Sequence, residues 1–135
     1  MNKNKYQYVV LQMIGANQGN ISGESLIIYD STDAQLGSVT FPANFSGASD
    51  QDYLLVAMPG VSALFNITPD LTLTTAFNLQ GGKICFGVSN TDCVAWGDYV
   101  GSTANTGTNY NDPFGGFRPT RSIVRRTSGG TSATQ

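Results

Sequence analysis

The sequence predicts an all-β fold, a sandwich of about seven or eight antiparallel strands with one short helix. Short runs rich in β-branched and aromatic residues recur along the chain, as strands require. Between them lie segments such as NQGN and NLQGGK, whose Gly and Asn residues tolerate turn dihedrals. Helical periodicity is almost absent. The chain has 135 residues, the size of one domain.

Eight runs are candidate strands, and one short run is a candidate helix. The strand candidates are residues 6–13, 25–29, 36–41, 53–58, 71–77, 83–87, 92–99 and 121–126. The helix candidate is residues 60–65, where Val61, Leu64 and Phe65 follow helical spacing. The chain therefore alternates strands with turns and leaves little room for helices.

Two segments lack an apolar period. Residues 101–116 are expected to form a long loop, and residues 127–135 are rich in Gly, Ser and Thr. The predicted organisation is a single sandwich domain over residues 1–126, followed by a flexible tail over residues 127–135.

Charged residues are few. They make up 12% of the chain, against about 25% in ordinary soluble domains. Solubility then depends on uncharged polar groups, which is typical of extracellular proteins. The start of the chain is better explained as a strand than as an export signal, because Gln12 interrupts its apolar run. No stretch approaches the ~20 apolar residues of a membrane helix, so we expect an extracellular or cell-surface protein without a membrane span.

The formal net charge of -2 is too small to indicate a polyanionic or membrane-surface partner. Its distribution is uneven, because no Lys or Arg occurs between Lys5 and Lys83. The C-terminal end is basic, and its arginines are Arg118, Arg121, Arg125 and Arg126. An arginine group of this size, without interleaved aromatic residues, does not predict nucleic-acid binding.

Two cysteines, Cys85 and Cys93, lie close together in the sequence. In an oxidising compartment their spacing suits a disulfide across a hairpin, and in a reducing one they would be buried thiols; we favour the disulfide. With the cysteines opposite each other, strand alternation places four apolar residues together on the other face, the expected core face. These predicted core anchors are Ile84, Phe86, Val94 and Trp96. An exposed Trp96 would suit sugar stacking, but its alignment with Val94 favours the core.

The hairpin segment GGKICFGVSNTDCVAWG is the most specific part of a wider resemblance. Together with SLIIYD, TFPAN and RSIVRR in this order, it resembles the lamin-tail-type immunoglobulin-like domains of secreted or surface bacterial proteins. The resemblance covers roughly residues 8–126. It implies an immunoglobulin-like sandwich, a disulfide between Cys85 and Cys93 and a non-enzymatic role, with no particular ligand. Such domains usually carry a further strand at each end, so the resemblance also implies a sandwich cut short at both ends.

The composition gives little support to catalysis. The chain has no histidine, which excludes serine or cysteine triads and histidine metal sites. Glu24 is the single glutamate, and the aspartates lie in turn-like segments where they more often bond backbone N–H groups. The segments DSTD at 30–33 and DQD at 50–52 are rich in oxygen, but neither matches an EF-hand loop. We expect no enzyme, no cofactor and no metal.

Two functions remain from different classes. The first is a non-enzymatic extracellular structural or assembly module, which self-associates by strand addition into oligomers or filaments. The second is a glycan- or protein-binding accessory domain of a larger exported protein. Uneven charge and missing flanking strands favour the first. Its expected assembly contacts are Tyr6, Tyr8, Val10, Arg118, Arg121, Arg125 and Arg126.

Overall fold

The computed structural model describes residues 3–12, 19–45, 52–107 and 109–110, together with the backbone of residues 124–125 and 133–134. In chain order the elements are a 3₁₀-helix (Lys3–Tyr6), β1 (Tyr8–Gln12), β2 (Ser25–Tyr29), β3 (Gln35–Thr40), β4 (Tyr53–Ala57), α1 (Pro59–Phe65), β5 (Leu71–Thr72), β6 (Gly81–Phe86), β7 (Asp92–Gly97), β8 (Val124–Arg125) and β9 (Ala133–Thr134). The two main sheets have three and four strands, and these described residues hold one α-helix. The predicted all-β class is confirmed.

The chain divides into two compact units, which we describe separately. The first unit comprises Met1–Ser25 and Val39–Ala76, and the second comprises Leu26–Ser38 and Phe77–Gln135. The sheet of the first unit has the strand order β1-β4-β5. The strands β1 and β4 are antiparallel, with Tyr8 opposite Ala57.

One strand pair departs from the antiparallel prediction. The strands β4 and β5 run parallel, with Val56 opposite Leu71. The reason is the connection: between the two strands the chain forms α1, and a crossover of this kind returns the chain in the same direction. The strand predicted over 71–77 is also shorter than expected. The N–H of Leu73 donates to the carbonyl of Ala57, the last residue of β4, and beyond it β4 offers no further partner.

Helix α1 follows the predicted helix closely and starts one residue earlier. Pro59 opens it, since the fixed φ of proline suits the first turn and its missing N–H is not needed there. Val61 is its buried residue. The helix ends where Asn66 takes left-handed backbone angles, with φ 52°, a conformation that asparagine tolerates better than most residues.

The four-stranded sheet has the order β3-β2-β6-β7 and lies mainly in the second unit. β2 and β6 are antiparallel, as are β6 and β7. The β6–β7 hairpin runs from the Gly81–Gly97 pair to the Phe86–Asp92 pair. Its turn contains Gly87 with φ 91°, in the left-handed region that glycine enters without a steric penalty.

The outer edge of β7 is covered by a segment that the sequence predicts to be loop. The Cys93 N–H donates to the Asn105 carbonyl at 3.1 Å. Farther along, Tyr110 donates to Ala95 and accepts from Gly97, so it lies beside β7 as a parallel bridge. Covering an edge in this way removes a template for unwanted strand pairing.

The strands β8 and β9 form a separate antiparallel pair, with Val124 opposite Thr134. The first of them falls in the strand predicted at 121–126, which confirms part of that segment as extended. The second falls within residues 127–135, for which a flexible tail remains the prediction.

Candidate functional site

The disulfide predicted from the hairpin is present. Cys85 and Cys93 face each other across β6 and β7 and are bonded, with their Cα atoms 4.1 Å apart. Since the Cys93 N–H points outward to Asn105, this pair occupies a position without hydrogen bonds between β6 and β7. At such positions the two strands approach most closely. Both cysteines are fully buried.

The registers predicted for the neighbouring residues are also confirmed. Ile84 lies opposite Val94, and Phe86 lies opposite Asp92. Trp96 is 1% exposed. Its indole N–H donates to the carbonyl of Asn78 at 2.8 Å. Its ring meets the Phe77 ring edge to face, with centroids 5.6 Å apart. The Trp96 ring is therefore packed against an apolar neighbour, and its N–H has a hydrogen-bond acceptor.

The sequence predicts that the face opposite the cysteines is the buried face of the hairpin, but in the structure the cysteine face is the more enclosed one. Ile84, Phe86 and Val94 are only half-buried, whereas the cysteine face is completely buried at Cys85, Cys93 and Ala95. The physical reason is a covering layer. The Asn105 amide donates to the carbonyl of Asn90 in the hairpin turn, and the Ser102 carbonyl accepts from Lys83 on the cysteine face, so the loop after β7 lies along that face.

A charged residue shares the buried cysteine face. Lys83 lies two residues before Cys85 on β6 and is 3% exposed. Its ammonium lies 4.5 Å from the ring centroid of Tyr29 and 5.1 Å from that of Tyr99. Cations placed over aromatic faces are attracted by the ring quadrupole. Lys83 therefore lies close to the disulfide in the sequence, and the rings of two tyrosines flank its ammonium.

Asp33 supplies the counter-charge. The Lys83 Nζ lies 2.6 Å from Asp33 Oδ1, and the Asp33 side chain is 29% exposed. The Ser102 N–H donates to Asp33 Oδ2 at 3.2 Å, and the Ser102 carbonyl accepts from Lys83 Nζ at 3.3 Å. The Tyr99 hydroxyl lies 2.6 Å from Asp33 Oδ1 and 2.8 Å from the Ser102 carbonyl. Its single proton serves one of these acceptors at a time. We call Asp33, Lys83, Tyr99 and Ser102 the lysine cluster.

Local turn chemistry fixes the carboxylate of the cluster. Asp30 Oδ1 accepts the N–H groups of Thr32 and Ala34, which closes the turn between β2 and β3. Asp33 then takes a φ of 72°, which aspartate tolerates better than most residues. Gly101 lies against it: a Cβ there would overlap the Asp33 side chain and the Tyr99 hydroxyl. The Asp33 carboxylate is therefore fixed by its contacts with Lys83, Tyr99 and Ser102.

The electrostatics of the cluster follow from burial and hydrogen bonding. Burial disfavours ionised Asp33, but hydrogen bonds from Lys83, Tyr99 and the Ser102 N–H outweigh it and lower the pKa of Asp33. Burial likewise disfavours the Lys83 ammonium, yet its hydrogen bond to Asp33 raises the pKa of Lys83. Burial and the bond to Asp33 raise the pKa of Tyr99. At neutral pH the pair is ionic and the phenol is neutral.

Sequence reasoning missed the lysine cluster, although one signal for it was available. Strand alternation from Cys85 places Lys83 on the face of the disulfide. A lysine on a face that also carries a disulfide needs a counter-charge if that face is covered. The sequence does not show that the DSTD turn and the loop after β7 cover it.

The predicted assembly contacts fall into two groups. Tyr8 and Val10 lie on β1 with their side chains 44% and 46% exposed. Tyr6 lies in the 3₁₀-helix instead of the strand predicted from residue 6, and the Lys5 ammonium is 4.9 Å from its ring centroid. The second group, the side chains of Arg118, Arg121, Arg125 and Arg126, lies outside the described residues.

Val10 and Tyr8 share a sheet face with residues of β4. Pairing places Val10 opposite Leu55 and Gln12 opposite Tyr53. Tyr53 is 61% exposed, and its hydroxyl accepts the Gln12 amide at 3.2 Å. The opposite face of the same strands carries the buried Leu54 and Val56. We call the exposed side formed by Tyr8, Val10 and Tyr53 the β1 face.

Among the described residues, no cluster of three or more His, Cys, Asp or Glu could hold a metal ion. No α-helix in that part of the chain is long and apolar enough to cross a membrane. Comparison of the chain with protein-family models, curated proteins and solved structures gives no match.

Proposed function

We propose that this chain is a non-enzymatic extracellular structural module, of the lamin-tail-type immunoglobulin-like class, that associates with further copies of itself by strand addition. The position of β1 carries the proposal. Among the described strands it is an edge strand of its sheet, and it bears exposed Tyr8 and Val10. An edge strand is the place where another chain can extend a sheet.

The extracellular part of the proposal is supported by the disulfide. Cys85 and Cys93 are bonded, and disulfides persist mainly in oxidising compartments. A disulfide is compatible with that location, and the low content of charged residues points the same way. The Asn-, Ser- and Thr-rich surface then supplies solubility.

The proposed partner is a second copy of this chain. A strand laid along β1 would extend the sheet and cover the apolar parts of Tyr8, Val10 and Tyr53 on the β1 face. If the added strand comes from a different part of the partner, the contact is head-to-tail, and such contacts propagate into a filament when they do not close into a ring.

The test uses two matched lysine variants. Val10→Lys places a charge on β1, and Leu36→Lys places one on β3, an edge strand of the four-stranded sheet. The two side chains are 46% and 45% exposed, so both variants are expected to fold. Lysine on an edge discourages strand addition. Light scattering over a range of protein concentrations should show that Val10→Lys reduces association and that Leu36→Lys does not.

The salt dependence tests the arginine part of the hypothesis. Salt screens attraction between exposed charges, over a Debye length of about 8 Å at physiological ionic strength. Arg125→Ser combined with Arg126→Ser removes two such charges, so association of this variant should be less sensitive to salt. A chain that stays monomeric at every concentration and salt level would overturn the assembly proposal. In that case the alternative, a glycan- or protein-binding accessory domain, becomes the working hypothesis.

A further inference from the structure

We propose that the lysine cluster is a site of covalent cross-linking, at which Lys83 and Asp33 condense to an intramolecular amide. The geometry points to it, because an amine and a carboxylate are held in contact in a mostly enclosed site. Lys83 Nζ lies 2.6 Å from Asp33 Oδ1, and Lys83 is 3% exposed. Fixing two reacting groups in this way replaces a bimolecular encounter by an intramolecular one. The inference concerns a different part of the molecule from the assembly proposal and does not depend on it.

Ser102 presents the two backbone groups that an amide at this place requires. Its carbonyl accepts from Lys83 Nζ at 3.3 Å, and its N–H donates to Asp33 Oδ2 at 3.2 Å. After condensation, the same carbonyl would accept the amide N–H, and the same N–H would donate to the amide oxygen. Before it, the Ser102 N–H is placed to stabilise the charge that develops on Oδ2 during attack.

Tyr99 completes the set as a positioning and proton-relay residue. Its hydroxyl lies 2.6 Å from Asp33 Oδ1, the oxygen that also contacts Lys83. A phenol at this place can deliver a proton to the oxygen that leaves and recover one from the nitrogen that attacks. The rings of Tyr29 and Tyr99 flank the ammonium and keep it aimed at the carboxylate.

The reaction balances without an oxidant or reductant. A proton first passes from Nζ to Oδ1 within the pair, which gives an amine and a carboxylic acid. The nitrogen lone pair attacks Cγ, and the Nζ–Cγ bond forms while charge develops on Oδ2. Nζ then loses a second proton, which Tyr99 relays to Oδ1. The Cγ–Oδ1 bond breaks, water leaves, and the Cγ–Oδ2 double bond is restored.

The two protonation states compete in this pair. Burial, the largest influence on each group, favours the neutral amine and acid, while the hydrogen bonds between the groups favour the ions. The ion pair is the resting state and the neutral pair is the minor, reactive one. Formation of the amide is therefore expected to be slow and to continue in the folded protein after purification.

The decisive measurement is the intact mass of the native chain followed over days. Allowing for the two hydrogen atoms lost in the disulfide, the mass should fall by one further water molecule. Trypsin should then fail to cleave after Lys83, so that the reduced protein yields a single peptide spanning residues 6–121 with an internal bridge. Chain kept unfolded in urea should retain its full mass and be cleaved after Lys83.

Variants separate this reaction from other losses of water. Lys83→Met removes the amine but keeps an unbranched side chain of similar length, and it should abolish the mass loss. Tyr99→Phe should slow its appearance several-fold while leaving the fold intact by circular dichroism. A native chain that keeps its full mass, or one whose missing water maps to another aspartate while trypsin still cuts after Lys83, would overturn the proposal.

Discussion

The sheets of the two units differ in how many of their faces are enclosed. In the second unit the β6–β7 hairpin carries a buried disulfide on one face and the buried Trp96 on the other, and the lysine cluster lies beside the disulfide. In the first unit the sheet buries Leu54 and Val56 on one face and exposes the β1 face on the other. The second unit therefore combines apolar packing with a covalent bond and an ion pair. The sheet of the first unit buries apolar residues on one face and exposes Tyr8, Val10 and Tyr53 on the other.

The largest effect should come from Trp96→Ala. The side chain is fully buried, packs against Phe77 and donates its N–H to Asn78. Removing a large aromatic from such a place costs about 3–5 kcal/mol in the free energy of unfolding. Urea unfolding followed by circular dichroism measures it. Val100→Ala is the matched control in the same unit, because Val100 is 80% exposed, and it should change the free energy very little. Equal effects of the two variants would refute the assignment of Trp96 to a core.

The disulfide should have the next largest effect. Replacing Cys85 and Cys93 by alanine releases the hairpin in the unfolded chain and should lower the free energy of unfolding by about 2–4 kcal/mol. Alanine leaves no unpaired hydroxyl in a site where both cysteines are fully buried. Because the bond is covered, a reductant should open it slowly in the native protein and quickly in urea. Rapid reduction of the native protein would show that the loop over the disulfide does not protect it.

Much of this hairpin was predictable from the sequence, and the reason is local. Alternation along a strand fixes which residues share a face once one cross-strand pair is known. The spacing of Cys85 and Cys93 supplied that pair, and the registers of Ile84 with Val94 and of Phe86 with Asp92 followed. β2 was likewise predicted at its observed bounds, Ser25–Tyr29, because its apolar run lies between clear turn residues.

Non-local contacts explain what the sequence could not predict. The parallel pairing of β4 with β5 depends on the path of the chain through α1. The burial of Lys83 depends on Asp33, Tyr99 and Ser102. These residues lie far from Lys83 in the sequence, in the turn between β2 and β3 and in the loop after β7. Patterns of alternation describe a strand and its two faces, but not the loop that comes to cover one of them.

The pH dependence of stability tests the lysine cluster. The pKa of Asp33 is lowered in the folded state, so its stabilisation is present above the unfolded value of about 3.9 and is lost as the pH falls through the lower folded value. The pKa values of Lys83 and Tyr99 are raised. Their stabilisation is present below the unfolded values of about 10 and is lost as the pH rises through the folded ones.

Asp33→Asn isolates the acid side of this profile. The amide keeps the size of the carboxylate and tolerates the positive φ, but it leaves the buried ammonium without its counter-charge. We expect a loss of about 1–3 kcal/mol at neutral pH and a shallower decline of stability below pH 4 than in the unmodified chain. The measurement is urea unfolding of freshly refolded protein from acid to neutral pH. Parallel acid profiles for the two proteins would contradict an ionic Asp33–Lys83 pair.

The smallest effect on the free energy of unfolding should come from a substitution on the β1 face. Here one exposed residue from each unit can be compared directly. Tyr53 in the first unit and Val88 in the β6–β7 turn are matched in exposure, at 61% and 64%. Because both side chains lie largely in solvent, Tyr53→Ser and Val88→Ser should each change the free energy of unfolding by no more than about 0.5 kcal/mol. Their effects on association should differ, since Tyr53 belongs to the proposed contact surface and Val88 does not. Sedimentation velocity of the two variants should show weaker association for Tyr53→Ser alone. If both variants associate like the unmodified chain, strand addition does not cover Tyr53, and the contact must be confined to the backbone edge of β1.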